Sequence, residues 1–277
     1  MMESGALPMA GRFLGKVAFI TGAARGQGRS HALRLADEGA DIIAVDRIED
    51  YASVGYPMAQ QADLDEMCEQ VRSRGRRVVA AKGDVRDQAQ LRAVLDRGIS
   101  EFGRLDIVIA NAGICTVQAW DDVSPEVWND TIDTNLTGVW NTIVVSAPHL
   151  IANGGGSVII TSSAAGIKGL PFFTPYVAAK HGIVGIARSL ANELASHRIR
   201  VNTVHPAGVE TAMSRGLAGL DKLIGRDPNL GPIFMNSYPV EMVDASDVSN
   251  AVLFLASDES RYVTGLELTI DGGNTIR

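Results

Sequence analysis

The sequence lacks the charge and the aromatic content of a protein that binds nucleic acid. Aromatic residues make up 5% of its 277 residues, and 25 Lys and Arg are outnumbered by 32 Asp and Glu, so the net charge is −7. No block of basic residues interrupts this acidic balance. Nucleic-acid binding depends on clustered positive charge and on aromatic side chains that stack on bases. We therefore expect no nucleic-acid partner.

Long apolar runs, cysteines and metal-ligand motifs are also scarce. No run approaches the roughly eighteen apolar residues of a membrane span, and residues 1–14 have neither a basic start nor a continuous hydrophobic stretch. The two cysteines, Cys68 and Cys115, are isolated and expected to be reduced, and the five histidines show no metal-ligand spacing. We expect a cytoplasmic protein without a membrane segment or a metal, with residues 1–14 as a mobile N-terminal tail.

From residue 15 to residue 277 the chain alternates short β-rich apolar runs with amphipathic helical patterns. The predicted strands include 16–21, 41–46, 77–82, 105–110 and 157–161. Alternation of this kind predicts a parallel sheet covered by helices on both faces. We expect a single α/β domain, a Rossmann-type doubly wound sheet that binds its ligands at the carboxyl ends of the strands.

A glycine-rich loop, G-A-A-R-G-Q-G (22–28), separates the first predicted strand from a helical pattern. Gly22, Gly26 and Gly28 allow the backbone to turn tightly and to approach a pyrophosphate at the start of the helix. Glycine-rich turns are common, so this loop alone is a weak signal. Together with the strand and helix that flank it, the loop predicts a dinucleotide site.

The end of the second predicted strand bears on the choice of cofactor. Asp46 lies where an acidic residue accepts hydrogen bonds from the adenosine ribose in dinucleotide sites. Its carboxylate favours NAD, because it would repel the 2′-phosphate of NADP. Arg25 and Arg47 favour the opposite choice, since either can pair with that phosphate. We expect NAD, because Asp46 occupies the strand end itself.

Polar residues follow three further predicted strands. Asp84 lies in G-D-V (83–85), an Asn-Ala-Gly turn occupies 111–113, and Ser163 follows the run that ends at residue 161. The carboxyl ends of parallel strands meet at one edge of a sheet, so these residues are candidates for the same cleft. For Asp84, a role as a helix or turn cap is an equal alternative.

A tyrosine and a lysine begin a predicted helix in T-P-Y-V-A-A-K (174–180). Thr174 suits a helix cap and Pro175 suits the first turn. Tyr176 and Lys180 are four residues apart and share one helix face. An ammonium beside a phenol favours the phenolate, which makes Tyr176 a candidate general acid or base. The same spacing also occurs in ordinary surface pairs.

Together these motifs resemble the short-chain dehydrogenase/reductase family over about residues 15–273. The matching motifs are T-G-A-A-R-G-Q-G (21–28), G-D-V (83–85), A-N-A-G (110–113), T-N-L-T-G (134–138), S-S (162–163), Y-V-A-A-K (176–180) and I-D-G-G (270–273). One departure is Ala207, which follows Pro206 where the family commonly has glycine.

The resemblance implies a catalytic tetrad of Asn135, Ser163, Tyr176 and Lys180. Tyr176 would exchange a proton with the substrate oxygen, Ser163 would hold that oxygen, Lys180 would lower the pKa of the phenol and bind the nicotinamide ribose, and Asn135 would keep a water in the proton relay. The implied cofactor-binding residues are Gly22, Arg25, Gly26, Gln27, Gly28, Asp46, Arg47, Asp84, Val85, Asn111, Ala112, Gly113, Tyr176, Lys180, Val209 and Thr211.

The segment 47–59, here called the insert, is similar to that of the mycofactocin-dependent, carveol-dehydrogenase-like branch of the family. It directly follows Asp46 and is longer than the two to six residues usual for such loops. The resemblance implies that the insert closes over the adenosine, that NAD is held tightly and that an external carrier, mycofactocin, reoxidises it. The alternative is a disordered surface loop.

Residues 207–240 carry many apolar side chains interrupted by Gly and Pro, and we expect them to form a small apolar substrate lid. The predicted function is hydride transfer between NAD and an apolar secondary alcohol or ketone, with a terpenoid such as carveol as one candidate. The alternatives are an ordinary ketone reductase that uses free NAD(P), an epimerase or dehydratase, and a catalytically silent nucleotide-binding regulator. The family resemblance also implies a homotetramer.

Overall fold

The computed structural model describes residues 11–217 and 219–277. Seven parallel strands form one sheet in the order β3-β2-β1-β4-β5-β6-β7. The strands are β1 (Val17–Thr21), β2 (Asp41–Asp46), β3 (Val78–Lys82), β4 (Ile107–Ala110), β5 (Gly156–Thr161), β6 (Ile199–Pro206) and β7 (Glu267–Ile270). The predicted doubly wound α/β fold is confirmed. The strand order reverses between β1 and β4, which opens a cleft at their carboxyl ends.

Helices cover both faces of this sheet. The helices are α1 (Gly26–Asp37), α2 (Gln61–Ser73), α3 (Gln88–Phe102), α4 (Pro125–Ile132), α5 (Gly138–Ala152), α6 (Thr174–Glu193), α7 (Ala212–Arg215), α8 (Leu220–Ile224) and α9 (Ala245–Ala256). Helices α1, α2 and α9 pack on one face, and α3, α5 and α6 pack on the other. A π-helical turn, Asp133–Thr137, joins α4 to α5.

Strand β1 shows why the predicted strands are continuous apolar runs. Ala18 and Ile20 belong to the core under α1 and α9, while Val17 and Phe19 belong to the core under α3 and α5. Because both faces of the sheet are covered, neither set of alternating side chains needs to be polar. This double burial fixes the position of Thr21, the last residue of β1, beneath the glycine loop.

The N-terminal prediction falls largely outside the described residues, because residues 1–10 are not among them. Of the remainder of the predicted tail, Phe13 is buried in the core, and Arg12 donates to Glu38 at 2.6 Å. Within the described ranges, no helix is both long enough and apolar enough to cross a membrane.

The segment expected to form the substrate lid contains α7, α8 and a 3-10 helix, Pro228–Phe234. Thr211 caps α7, since its hydroxyl accepts from the amide of Ser214 at 3.4 Å. The ring of Phe234 lies 6.1 Å from that of Phe173, which directly precedes α6. The predicted lid segment therefore packs against the start of the helix that carries Tyr176.

Candidate active site

Helix α6 places Tyr176 and Lys180 on one face, as the spacing predicted. The expected cap is different. The helix begins at Thr174, and the capping position belongs to Phe173, whose side chain makes no capping hydrogen bond. Phe173 is buried, while Thr174 is exposed. Packing of the phenylalanine ring therefore sets the start of α6, and Thr174 does not cap it.

Lys180 is buried beneath the end of β5. Its ammonium donates to the carbonyl oxygen of Thr161 at 2.6 Å and lies 5.4 Å from the centroid of the Tyr176 ring. Burial lowers the pKa of Lys180 to about 8, because the charged form loses its hydration. The amine therefore changes its charge close to neutral pH.

The phenol of Tyr176 behaves differently from the expectation that Lys180 would favour its phenolate. Burial raises the pKa of Tyr176 well above the ordinary value for a phenol, and the neighbouring Ser163 hydroxyl acts in the opposite direction. In the protein as it stands the burial effect is the larger one. Tyr176 is therefore a proton donor at neutral pH until additional positive charge is brought to the site.

Ser163 is held by the chain on both sides. Its hydroxyl accepts from the amide of Ala165 at 3.1 Å and caps the 3-10 turn Ala164–Gly166. Its carbonyl oxygen lies 2.8 Å from Nδ1 of His205, and Nε2 of that ring lies 2.7 Å from the Thr203 hydroxyl. Burial lowers the pKa of His205. The buried imidazole thus serves a structural role, as expected for the histidines, and that role is to support Ser163.

Asn135 lies on the π-helical turn and is fully buried. Its Oδ1 accepts from the amide of Ile114 at 2.8 Å, and its Nδ2 donates to the carbonyl oxygen of Ile114 at 2.7 Å. A side chain on Gly113 would place Cβ at 3.2 Å from the same Oδ1. The amide of Asn135 therefore fixes the loop that follows β4. π-Helical turns occur frequently at functional sites.

The glycine loop has the close approaches that its sequence predicted. Gly22 and Gly26 have φ angles of 66° and 56°, which only glycine adopts readily. A Cβ at Gly28 would lie 2.0 Å from the carbonyl oxygen of Gly22, so Gly28 packs beneath the loop. Gln27, between them, lines the cleft. Helix α1 thus begins directly under a backbone that can approach a phosphate.

The charged residues around Asp46 are already engaged. Asp46 accepts from the amide of Ala24 at 2.9 Å, and burial raises its pKa. Arg25 donates to the carbonyl oxygen of Pro57 at 2.7 Å. Arg47 lies 3.5 Å from Asp84. The two arginines that favoured NADP are therefore tied to the insert backbone and to a carboxylate.

The remaining predicted residues fall into two groups. Asp84, Val85, Asn111, Ala112, Gly113 and Thr211 line the same cleft as the glycine loop. Asn111 also joins three strand ends, since its Nδ2 donates to the carbonyl oxygen of Thr21 at 3.1 Å and its Oδ1 accepts from Thr161 at 3.2 Å. Val209 instead lies in the core and forms a parallel bridge with Val243.

The insert is packed over the cleft, which excludes the alternative of a disordered surface loop. Its side chains Tyr51, Tyr56, Met58 and Ala59 line the cleft opposite the glycine loop. Tyr51, Val54 and Tyr56 form a buried cluster with Ile114.

The cleft walls fit a dinucleotide. Among the described residues, Oε1 of Gln27 and one terminal nitrogen of Arg47 are buried without a hydrogen-bond partner, and both residues line the cleft. Buried polar groups are usually paired, so these two atoms suit the hydroxyl and ring groups of a bound nucleotide. The same walls combine the glycine turn with the carboxylate of Asp46. No group of three or more potential metal ligands occurs in the described ranges.

Two contacts in the site had no signal in the sequence. Thr134 directly precedes Asn135 in the T-N-L-T-G motif, but the contact of its hydroxyl with the hydroxyl of Tyr51 in the insert was not predicted. Cys115 was assigned no chemistry, and its thiol is free and buried. Burial raises the pKa of this thiol to about 12. The backbone amide of Cys115 contacts the insert, and no sequence pattern marks a backbone group of this kind.

These features are those of the short-chain dehydrogenase/reductase family, and the chain belongs to it. A family model described as enoyl-(acyl carrier protein) reductase matches residues 22–275. A putative short-chain type dehydrogenase/reductase of Mycolicibacterium smegmatis is 52% identical over 97% of this chain and 100% of that protein.

Proteins named for carveol are also similar to the chain. The (−)-trans-carveol dehydrogenase of Rhodococcus erythropolis is 46% identical over 96% of this chain and 99% of that protein. The crystal structure of carveol dehydrogenase from Mycobacterium avium in complex with NAD has a TM-score of 0.90 and 46% identity, over 96% of this chain and 100% of that chain. The predicted resemblance to the carveol-dehydrogenase-like branch is confirmed.

Proposed function

We propose that the protein is an NAD-dependent dehydrogenase that oxidises an apolar secondary alcohol to a ketone. The observation that carries this proposal is the convergence of Ser163, Tyr176 and Lys180 beside a cleft whose walls fit a dinucleotide. NAD, when bound, supplies the hydride acceptor. The protein's own residues then have to hold the alcohol and remove its hydroxyl proton.

In this mechanism the phenolate form of Tyr176 accepts the hydroxyl proton of the alcohol. The Ser163 hydroxyl, fixed by the amide of Ala165, donates to the substrate oxygen and holds it beside the phenol. Because burial raises the pKa of Tyr176, the phenol needs positive charge beside it before it can act as a base. Lys180, whose pKa is about 8, supplies part of that charge. Asn135 holds the neighbouring loop through Ile114.

Two features support NAD as the cofactor. Asp46 places a carboxylate at the ribose end of the cleft, while Arg25 and Arg47 are engaged elsewhere. A structure of a similar short-chain dehydrogenase from Mycobacterium paratuberculosis is described as bound to NAD, with a TM-score of 0.92 and 47% identity. A preference for NADP would need a cation at the 2′-phosphate position, and the guanidinium groups of Arg25 and Arg47 already contact Pro57 and Asp84.

The insert gives the enzyme a tightly held cofactor. Its tyrosines close the cleft above the adenosine end, and Arg25 ties the glycine loop to Pro57 of the insert. Ligand retention is governed mainly by the rate of release, which a closed cover slows. NAD held in this way would be reoxidised by an external redox carrier, mycofactocin, instead of exchanging with free NAD.

The substrate is inferred from the lid. Phe234 packs against Phe173 at the start of α6, and Met213 packs against the buried cluster of the insert, so the lid presents apolar surface that suits a hydrocarbon ring better than a charged chain. The carveol dehydrogenases among the relatives support a terpenoid alcohol. A 3-oxoacyl-[acyl-carrier-protein] reductase of Staphylococcus aureus, 34% identical over 93% of this chain and 97% of that protein, favours instead an ordinary ketone reductase with exchangeable cofactor.

One experiment separates these two functions. The purified protein is mixed with cyclic secondary alcohols, and the absorbance of reduced nicotinamide is followed with added NAD, with and without an artificial electron acceptor. We expect one turnover of bound NAD without the acceptor and many with it. Rapid cycling of added NAD without acceptor would support the ordinary dehydrogenase, and no reduction by any alcohol, with Tyr176→Phe as the blank, would contradict the proposed function.

The assembly and location are part of the same proposal. The enzyme forms a homotetramer, as the family resemblance implies, and it acts in the cytoplasm, as we expect from its sequence. Trp140 and Ile151 on α5 are 43% and 39% exposed and offer apolar surface for such an assembly. In contrast, Val139 and Ile143 on α5 and Leu190 on α6 are buried in the protein's own core.

A further inference from the structure

Two tyrosines of the insert reach across the cleft to the catalytic side of the molecule. The hydroxyl of Tyr51 lies 2.9 Å from the hydroxyl of Thr134. The hydroxyl of Tyr56 accepts from the backbone amide of Cys115 at 3.2 Å. Both rings are at least 90% buried. The insert therefore contacts more than the adenosine end of the cleft.

Both contacts lie directly beside the pair formed by Asn135 and Ile114. Thr134 precedes Asn135 on the π-helical turn, and Cys115 follows Ile114 in the loop after β4. Asn135 and Ile114 are joined by two hydrogen bonds, at 2.7 and 2.8 Å. The insert therefore contacts the neighbour of each member of this pair. Tyr51 contacts Thr134, which precedes Asn135, and Tyr56 contacts Cys115, which follows Ile114.

The Tyr51 ring is itself held in place. Two guanidinium groups lie over it, with Arg47 at 3.6 Å and Arg86 at 4.9 Å from the ring centroid. Arg86 in turn donates to Asp84 at 2.7 Å and to Asp130 at 2.8 Å. Cations stacked on an aromatic face restrict the ring, so the hydroxyl has a defined direction.

Tyr56 is fixed by close packing. A Cβ added to Gly216, at the end of α7, would lie 2.4 Å from Cβ of Tyr56. The lid and the insert therefore meet at this ring without space between them. The hydroxyl of Tyr56 remains aimed at Cys115, and its position depends on both segments.

We propose that Tyr51 and Tyr56 are positioning residues for the chemical step, because they hold Asn135 and the Ile114 loop in the arrangement that proton transfer requires. This inference rests on the proposed dehydrogenase function and adds to the role of the insert as a cofactor cover. A π-helical turn has a neighbouring α-helical register in which Asn135 would face elsewhere. The two tyrosine hydroxyls stabilise the register in which it bonds Ile114.

The test uses Tyr51→Phe and Tyr56→Phe in the full protein with its bound NAD. Each variant keeps the ring and removes only the hydroxyl. We expect the single-turnover rate of hydride transfer to fall about five- to tenfold, as for loss of one hydrogen bond, with the KM for the alcohol unchanged. Tyr262→Phe is the matched control, because Tyr262 is 89% exposed and lies at the opposite edge of the sheet.

Amide hydrogen exchange gives a readout that does not depend on activity. The amide of Ile114 donates to Asn135, and the tyrosine rings that pack against the Ile114 side chain are kept in both Phe variants. If the hydroxyls hold the pair, exchange at Ile114 becomes faster in Tyr51→Phe as well as in Tyr56→Phe. Unchanged exchange at Ile114 in both variants would overturn the inference, whatever the activity.

A double-mutant cycle separates positioning from general loosening of the insert. We expect Thr134→Val to slow hydride transfer, and the Tyr51→Phe, Thr134→Val double variant to be no slower than the worse single variant, since both remove one contact. Faster NAD release with a normal rate of hydride transfer in the tyrosine variants would show that the tyrosines only cover the cofactor, and it would overturn the inference. If the wild type oxidises no alcohol, the proposed function fails, and Ile114 exchange then shows only whether the two hydroxyls hold the pair formed by Asn135 and Ile114.

Discussion

Lys180 and Tyr176 are neighbours in space, but the lysine is anchored elsewhere. Its ammonium donates to the carbonyl oxygen of Thr161 at 2.6 Å and lies 5.4 Å from the centroid of the Tyr176 ring. The cation thus lies beside the phenol in a position that the end of β5 determines. Burial opposes ionisation of both groups, since it raises the pKa of the phenol and lowers that of the amine. The protonation states of Tyr176 and Lys180 therefore depend on the burial of the two groups as much as on the contact between them.

Replacement of Tyr176 by Phe is expected to lower turnover by about a hundred- to ten-thousandfold, the range of a lost general acid or base. The ring remains, so no cavity forms, and the thermal midpoint should change little. Turnover is measured with a good alcohol and an electron acceptor, and folding by circular dichroism. A folded variant with wild-type turnover would show that another group transfers the proton.

Lys180 should make the stability of the protein depend on pH. Its pKa is about 8 in the folded state, against 10.5 for the unperturbed side chain, so the unfolded chain binds more protons between these values. The contribution of Lys180 to the free energy of unfolding should therefore rise with pH from about 8 to about 10.5, by on the order of 3 kcal/mol, and it is read as the difference between the wild type and Lys180→Met, because the raised pKa of the Cys115 thiol acts in the opposite direction in both proteins. Lys180→Met, which keeps an apolar stem, should lack this rise in urea unfolding at several pH values. Parallel pH profiles for both proteins would contradict the assignment.

Replacement of Asp46 tests the choice of cofactor. Asp46→Asn keeps an oxygen that can accept from Ala24 and removes the negative charge that repels a 2′-phosphate. We expect the preference for NAD over NADP to fall by about tenfold, or about 1.4 kcal/mol, in competition binding. Arg47→Ala is the companion variant, and it tests whether this guanidinium contributes to the choice between NAD and NADP. If Asp46→Asn has no effect on preference while Arg47→Ala does, the arginine governs the choice.

The tetramer prediction can be tested on α5. Trp140 is 43% exposed although it is a large apolar side chain. If α5 packs against another subunit, Trp140→Arg should convert the tetramer to smaller species in sedimentation, because a charge would be buried there. Trp120→Arg is the control, as Trp120 is 82% exposed in the loop before α4. A monomeric mass for the wild type would overturn the prediction.

Local sequence predicted the elements and several of their chemical residues. Strands β1 to β5 lie within two residues of their predicted limits at each end. The pairing of Tyr176 with Lys180 followed from helical spacing alone. The start of α6 was predicted less well, because the buried ring of Phe173 and not the hydroxyl of Thr174 determines it. A contact with a distant residue, Phe234, prevailed over a local capping preference.

The sequence by itself determined what depends on neighbouring residues: the parallel sheet, the glycine loop, and the carboxylate of Asp46 at a strand end. Only the tertiary structure decided which charges are engaged and which groups meet. Asn135 is hydrogen-bonded to Ile114, 21 residues away in the sequence, and Tyr56 is hydrogen-bonded to Cys115, 59 residues away. No periodicity encodes such pairs, because they form only when separate elements pack together. Burial, which sets the pKa of Lys180, is likewise a property of that packing.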